Sequence, residues 1–575
     1  MVRNIFEKSR KIFDSQQNSI LSAATIIMLM IVASRVLGLV RQRILAHFFS
    51  ASDLSLFFAA FRLPDTVFEV LVFGTFSSAF IPVFAKLAKN DEKDAWKLAG
   101  YITNIGLIIF TILALGAGLL SGTLYKVIAP GYAPSDQLVI VRLTKILFVA
   151  QGFFVVSYVL TGVLESLKRF LVPALAPLFY NLGIIFGTIF LSGKLGLMAP
   201  VVGVFIGAFS HFIIQLPLAL KLGFRFIPRL ELNEGVRKIG KLALPRVIEV
   251  CFLQISKTIE LFFASLISTA SYTYYTFGNT LQLLPVGIFG TSIAKAALPT
   301  LSGLSDSKED FSKALFKALF EMTFLVIPLA AFLMVLRIPV VRLVYGTDIF
   351  TWKSTIETGW VLSAFSVSIV FQAANALLAR GFYALHDTKT PVLTSIFSII
   401  FIITMDFVFI NIFHTPVWGL AAAFSIGSFL QSLALFILMN RRLNGGFGIA
   451  VLVPFFKHVS SSFAAGLVMY VLLKFFDKSV WVKRLSFLGK IEATRDIAFE
   501  KFVLDTRYTV NLVILTALVA LIGIFLYLFF SFLLKTKELR TFYNLFKRLI
   551  FGQGLGASLI KEKEPITPLT SDTDI

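Results

Sequence analysis

Apolar stretches that reach about 20 residues with their flanks recur along almost the whole chain, separated by short polar turns. Their cores are clearest at Ile105–Leu120, Leu178–Leu191, Phe324–Leu336, Ile396–Phe413 and Val510–Phe532. As helices, such stretches are long enough to cross a hydrocarbon layer of about 30 Å. They lack the every-second-residue alternation of a membrane barrel strand. The pattern predicts spans near 19–49, 54–87, 97–121, 138–165, 170–192, 196–221, 241–268, 272–302, 314–337, 355–385, 390–413, 416–440, 452–475 and 509–534. The expected fold class is an all-α polytopic membrane protein of about fourteen transmembrane helices.

Composition agrees with the pattern: 57% of the 575 residues are hydrophobic and the mean hydropathy is +0.85, where soluble domains stay near half apolar. A net charge of +21 would suggest nucleic acid in a soluble chain. Here the basic residues collect in alternate links, as at Lys86/Lys89/Lys93, Lys168/Arg169, Arg237/Lys238, Lys308/Lys313 and Arg441/Arg442. The positive-inside rule then places both termini in the cytoplasm. The polar opening Met1–Asn18 has no signal-peptide form. The link 476–508, of mixed charge, reads as an external amphipathic segment, and the tail 536–575 starts basic and ends polar. One cysteine, Cys251, and scattered histidines support neither a disulfide framework nor a metal site.

The two halves repeat. Phe73-Gly74-Thr75 with Pro82 returns as Phe289-Gly290-Thr291 with Pro299. Leu167 and Pro173 return as Leu385 and Pro391, and Gly203 and Gln215 return as Gly419 and Gln431. The offsets all lie at about 216–218 residues. The expectation is two six-helix lobes in a pseudo-two-fold repeat plus two extra C-terminal helices, with substrate held between the lobes. The domain boundaries follow: 1–18 a cytoplasmic segment, 19–225 the N-lobe, 240–442 the C-lobe, 450–535 the extra pair and 536–575 a cytoplasmic tail.

Charged groups within spans cost at least about 2.5–3.5 kcal/mol each at mid-helix, so they mark cavities or partners. Span 1 carries Arg35, Arg41 and Arg43; span 2 carries Arg62, Asp65 and Glu69 around Pro64. The planar guanidinium fork suits a phosphate, so Arg35, Arg41 and Arg62 are the candidate substrate-binding residues. The competing readings are that Arg41 or Arg43 snorkels to the interface and that Arg62 pairs with Asp65. In span 7, Arg246–Glu249 and Lys257–Glu260 have the spacing of ion pairs along one helix. Glu260 lies deeper, and Asp406 in span 11 has no local partner in sequence, so both are candidate cation or proton sites. Lys295 is a candidate to balance Glu69 or to meet substrate. Nothing resembles a nucleophile–base pair, a zinc site or a phosphate-cradling glycine loop, which argues against an enzyme.

Several segments resemble the MurJ/MviN lipid II flippases of the MOP exporter superfamily: Ala33–Gly38 (ASRVLG), Phe57–Pro64 (FFAAFRLP), Phe76–Pro82 (FSSAFIP), Ile128–Tyr132 (IAPGY), Ala174–Gly183 (ALAPLFYNLG), Pro285–Gly290 (PVGIFG), Leu298–Ser302 (LPTLS) and Ala379–Pro391 (ARGFYALHDTKTP). The resemblance implies an inward-open cationic cavity and a groove for the lipid tail beside helices 13 and 14. It puts Arg35 and Arg41 on the family's two helix-1 arginines, Arg62 on a basic position, and Glu260 and Asp406 on acidic positions like those of a sodium site. It also implies departures. Phe68 stands where the family has a helix-2 arginine, Asn279-Thr280 where it has an Asp-Arg pair, Gln42 where it has an acid, and Ile402 where it has an asparagine. The expected function is flipping of an undecaprenyl-diphosphate-linked peptidoglycan precursor, lipid II, by alternating access. The alternatives are export of another lipid-linked oligosaccharide and a non-transporting envelope-assembly scaffold. The expected partners are the lipid-linked precursor, membrane lipids and cell-wall synthesis proteins, with no nucleic acid. No cofactor is expected beyond Na⁺ or a proton at Glu260 and Asp406.

Overall fold

A computed structural model of the chain describes residues 20–72, 79–227, 229–443, 452–477, 504, 506 and 508–550, with side chains from Leu29 onward. The expectations for the N-terminal segment, for Phe73-Gly74-Thr75, for most of the link 476–508 and for the end of the tail lie outside the described residues. So do the side chains of Arg246 and Glu249. Among the described residues the architecture is helical throughout, and twelve helices are long and apolar enough to cross a membrane.

In chain order the helices are α1 (Ile20–Phe48), α2 (Ala51–Ala60), α3 (Arg62–Val72), α4 (Ile81–Asn90), α5 (Glu92–Ile128), α6 (Pro134–Ser166), α7 (Leu171–Leu195), α8 (Met198–Ile213), α9 (Leu216–Lys221) and α10 (Glu234–Ile267). There follow α11 (Ser271–Pro285), a π-helical turn Val286–Gly290, α12 (Thr291–Gly303), α13 (Lys308–Val335), α14 (Arg337–Tyr345), α15 (Trp352–Ala384) and α16 (Lys389–Phe407). After a second π-helical turn, Val408–Ile412, come α17 (Trp418–Arg442), α18 (Leu452–Phe476), α19 (Thr509–Leu533) and α20 (Lys537–Ile550). Asn233, Ser307 and Thr351 cap α10, α13 and α15 with their side chains, and such caps satisfy N–H groups that the helix leaves open.

The expected second span is not one helix. Pro64 has no N–H to give to the carbonyl of Ala60, and its ring crowds the preceding turn. The chain breaks at Phe61 between α2 and α3. The Ala60 carbonyl accepts instead from Thr144 Oγ1 at 3.0 Å and Tyr125 Oη at 3.2 Å. Elsewhere, glycines let backbones approach. On α7, Gly183 and Gly187 lie directly against Gly207 and Gly203 of α8, and a Cβ at Gly187 would fall 2.7 Å from the Gly203 nitrogen. Small residues drive such packing where lipid supplies no hydrophobic force.

The turns that lead from α6 to α7 and from α15 to α16 share one geometry, 218 residues apart. Lys168 and His386 both adopt left-handed backbone, at φ 59° and 58°. Arg169 N donates to Leu164 O at 2.8 Å and Asp387 N to Phe382 O at 2.9 Å, which makes each turn a Schellman cap. The pair α18–α19 packs on α13 around Phe324, Met469 and Tyr527. The amphipathic α20 is pinned there by His458 against Glu538 at 3.3 Å and by Phe542 stacked on Phe324.

Glycine at Lys168 or His386 removes the Cβ crowding of left-handed backbone and should stabilise the chain by about 1 kcal/mol, read as a higher thermal midpoint in detergent. A lower midpoint at both positions would contradict strained caps. Asp387 gives a pH-dependent counterpart. Burial disfavours its charge, but hydrogen bonds from Thr390 and Lys389 and the Arg442 guanidinium at 3.0 Å outweigh that and hold its carboxyl below the ordinary range. A lowered carboxyl stabilises above its unfolded value near pH 4 and loses that contribution as pH falls through the folded value. Asp387→Asn should therefore cost roughly 1 kcal/mol at pH 7, and the two midpoints should converge in acid.

Candidate functional site

Helix α1 runs along α7, and Asn181 fixes it: Arg41 Nη1 donates to Asn181 Oδ1 at 2.9 Å, while Asn181 Nδ2 reaches Ser34 O at 3.4 Å. Arg41 lines a cavity of 260 Å³ among α1, α2, α3, α7 and α11, together with Gln42, Asp65, Tyr180, Tyr272 and Thr276. The Arg41 Nε is buried and has no partner among the described residues. Arg41 thus lies inside the bundle rather than snorkelling. Arg43 is the interfacial one, exposed and donating to Leu343 O at 2.6 Å. Arg35 is exposed and crosses between the two halves. Its guanidinium lies over the π-helical turn, where a Cβ on Gly287 would fall 2.8 Å from Nη2. Glycine there allows an arginine from the first half to rest on the backbone of the second.

The charges of α3 and α10 form one chain across the halves. Arg62, nearly fully buried, donates to Gln254 and lies 3.4 Å from Thr66 Oγ1; Gln254 donates to Glu69, and Lys257 reaches Glu69 at 3.0 Å. Arg62, Asp65 and Glu69 stand three and four residues apart on one face of α3, so the break at Pro64 aims all three inward. Two expected pairings are corrected. Lys257 bonds Glu69 rather than Glu260, and Asp65 accepts from Gln151 at 2.7 Å rather than bonding Arg62. Both intrahelical readings rest on spacing alone, and the facing helix offers better placed partners. Lys295 is exposed and forms no ion pair with Glu69, whose charge Lys257 meets.

Glu260 and Asp406 are both buried, on the packed helices α10 and α16. The two carboxyl groups lie close enough for their charges to interact. The Asp406 Oδ1 is buried with no hydrogen-bond partner among the described residues. Buried carboxylate oxygens with open lone pairs beside a second acid are a donor set for a monovalent cation or a proton. No group of three or more His, Cys, Asp and Glu side chains able to hold a metal occurs among the described residues.

The four departures have structural counterparts. Gln42 donates to Thr280 Oγ1 at 3.0 Å and accepts from Tyr345 Oη at 2.8 Å. The Gln42–Thr280 contact is thus a bond between neutral side chains. Asn279 accepts from Gln282 at 2.8 Å. Phe68 packs against Phe154 and Tyr158 in an aromatic cluster. Ile402 is pressed on Gly427 and supplies no oxygen to Asp406. Sequence reading missed Asn181, Gln151 and Tyr272 as site residues. Their signal is a polar side chain inside an apolar run, as in Ser271–Phe277 (SYTYYTF).

The halves are stitched at the end away from the basic turns. Thr273 donates to Ala51 O at 2.7 Å, Thr347 to Ala46 O at 2.7 Å and Gly131 N to Ser265 Oγ at 3.2 Å. A double-mutant cycle with Lys257→Met checks the pairing. Coupling to Glu69→Gln should be about 0.5–1 kcal/mol in thermal unfolding, modest because both side chains are partly exposed. It should exceed the coupling to Glu260→Gln; the reverse order would restore the intrahelical pair.

Comparison with known proteins agrees with this architecture. A family model described as "Lipid II flippase MurJ" matches residues 44–491, a stretch that holds Arg62, Glu260 and Asp406 and begins after Arg35 and Arg41. A protein of Vibrio cholerae serotype O1 named "Probable lipid II flippase MurJ" is 29% identical, over 72% of this chain and 82% of its own. The fold matches a solved structure titled "Lipid II flippase MurJ, inward closed conformation" at TM-score 0.71 and 23% identity, over 88% of this chain and 98% of the other. It also matches an inward-facing MATE transporter of the MOP superfamily at TM-score 0.59 and 15% identity, over 71% of this chain and 94% of that one. With the family model spanning most of its length and the bundle matching in three dimensions, this multi-pass membrane protein belongs to the lipid II flippase MurJ family.

Proposed function

We propose that the chain flips lipid II, the undecaprenyl-diphosphate-linked peptidoglycan precursor, from the cytoplasmic to the outer leaflet of the bacterial inner membrane, without catalysing a reaction. The observation that carries this is a line of cations, Arg35, Arg41, Arg62 and Lys257, where the two halves meet. A diphosphate headgroup requires donors in this position, and guanidinium groups offer it paired N–H bonds. The basic turns face the cytoplasm with both termini, so the stitched end is the outer one. The N-lobe 19–225 and C-lobe 240–442 then rock about the substrate, with 450–535 holding its tail. Cell-wall synthesis proteins are the protein partners that such a role supplies and consumes.

Glu260 and Asp406 bind the coupling ion, Na⁺ or a proton. Two carboxylates in one water-poor site repel, and a shared cation relieves the repulsion. The ion can shift the lobes only by its unequal affinity for their two arrangements. Support comes from the open Oδ1 of Asp406 beside Glu260.

Complementation of a flippase-depleted bacterium, read with external labelling of lipid II, tests the substrate. Arg35→Ala and Arg41→Ala should abolish rescue while membrane levels hold, and Arg35→Lys should rescue poorly because it loses the planar fork. Full rescue by Arg35→Ala and Arg41→Ala would reject the diphosphate role. For coupling, a distance probe between the lobes should respond to Na⁺ or to pH in the wild type and not in Asp406→Asn. An unresponsive wild type, or a variant that responds as the wild type does, would reject the ion site.

A further inference from the structure

A second cluster of cations lies at the stitched end, away from the site between the halves. A cavity of 110 Å³ opens where α13 and α14 meet α18 and α19, with Arg337, Arg342 and Lys474 on its wall. Each cation sits over an aromatic ring: Arg337 over Trp360 at 4.7 Å, Arg342 over Trp352 at 5.2 Å and Lys474 over Tyr470 at 5.8 Å. Ring contacts hold a cation in place without neutralising it. The acid on this wall is Asp477, whose Oδ1 accepts from Thr506 at 2.9 Å. Among the described residues Arg337 and Arg342 form no ion pair, and Lys474 feels the charge of Asp477.

Cations at a membrane boundary commonly snorkel, lifting their heads to water. Arg337 does not fit that account. Its Nη1 donates to Met334 O at 3.1 Å, but its Nε is buried with no partner among the described residues. A buried guanidinium N–H without an acceptor is costly, and a bound acceptor removes the cost. The rest of the wall is apolar, through Val335, Pro339, Leu473 and Leu515. A cationic rim above an apolar floor suits a ligand with an anionic head and a hydrocarbon tail. The planar forks of Arg337 and Arg342 suit a phosphoryl head.

We propose that Arg337, Arg342 and Lys474 form a lipid-phosphate site, distinct from the site between the halves, where the α18–α19 pair meets α13 and α14. The ligand is the phosphoryl headgroup of a lipid, borne either by a glycerophospholipid or by a polyprenyl diphosphate. Its placement in the outer leaflet rests on the orientation proposed above; the phosphate chemistry does not. Occupancy ties the α18–α19 pair to the second half through one ligand shared by α13, α14 and α18.

Native mass spectrometry of the full chain in detergent tests the site, with phosphatidylglycerol, a polyprenyl diphosphate and diacylglycerol titrated separately. The wild type should retain one copy of a phosphate-bearing lipid that Arg337→Gln/Arg342→Gln/Lys474→Gln binds at least about tenfold more weakly, and diacylglycerol should not compete for it. Competition between the two phosphate lipids identifies the source, the tighter one being the ligand. Equal binding by wild type and variant, or displacement by diacylglycerol, would overturn the proposal. A second measurement needs no variant: a photoactivatable phospholipid should label wild-type peptides spanning Tyr470–Asp477 and Val335–Arg342, and labelling confined to other regions would overturn it. A probe restricted to one leaflet separates the two readings, because labelling here from the inner leaflet would reverse the orientation and leave the phosphate site standing.

Discussion

Inside a bilayer no water is available to a polar group that loses its partner, and much of this structure follows from that. Pro64 releases the Ala60 carbonyl, and Tyr125 and Thr144 reach from α5 and α6 to satisfy it. That repair holds the break between α2 and α3, and the break turns Arg62, Asp65 and Glu69 toward α10. The charges then need partners of their own, which Gln151, Gln254 and Lys257 provide. A kink, its repair and a charge network are linked steps of one requirement.

The same requirement shapes the joint between the halves. The contacts there include hydrogen bonds of hydroxyls, amides and backbone, as at Gln42–Thr280, Thr273–Ala51 and Arg43–Leu343, beside the Lys257–Glu69 ion pair. A typical hydrogen bond contributes only about 1 kcal/mol net, because water replaces the lost partner. A joint of this kind opens at modest cost once water enters, whereas the glycine-packed pair α7–α8 stays as one body. Within the second half, Asp406 Oδ1 has no hydrogen-bond partner among the described residues. A buried carboxylate oxygen left open is where a ligand has much to offer.

Legibility differed by kind of feature. Twelve of the spans were readable because an apolar run of membrane length has few other uses. The duplication was readable too, and Lys168 and His386 show how far it extends, down to matching left-handed turns. The pairings were not readable. Lys257 stands three residues from Glu260, and Arg62 three from Asp65, which is the spacing of a helical ion pair. Yet both reach side chains on a facing helix. The polar partners of the site, Asn181 and Gln151, look in sequence like single polar residues tolerated within apolar runs.

Hydrophobic run length, the positions of proline and glycine and the depth of each charge are local properties, and the sequence alone determined them. With them came the helical class, the approximate span limits, the repeat and the presence of charged residues within α1 and α3. Which charge meets which, and which atoms stay open, depends on helix rotation and separation over a few ångströms, and no local pattern encodes that. Only the tertiary structure placed Arg35 over Gly287, joined Lys257 to Glu69, left Asp406 Oδ1 without a partner among the described residues and gathered Arg337, Arg342 and Lys474 around one cavity. Those residues come from helices far apart in sequence, and packing in a medium without water brings them together.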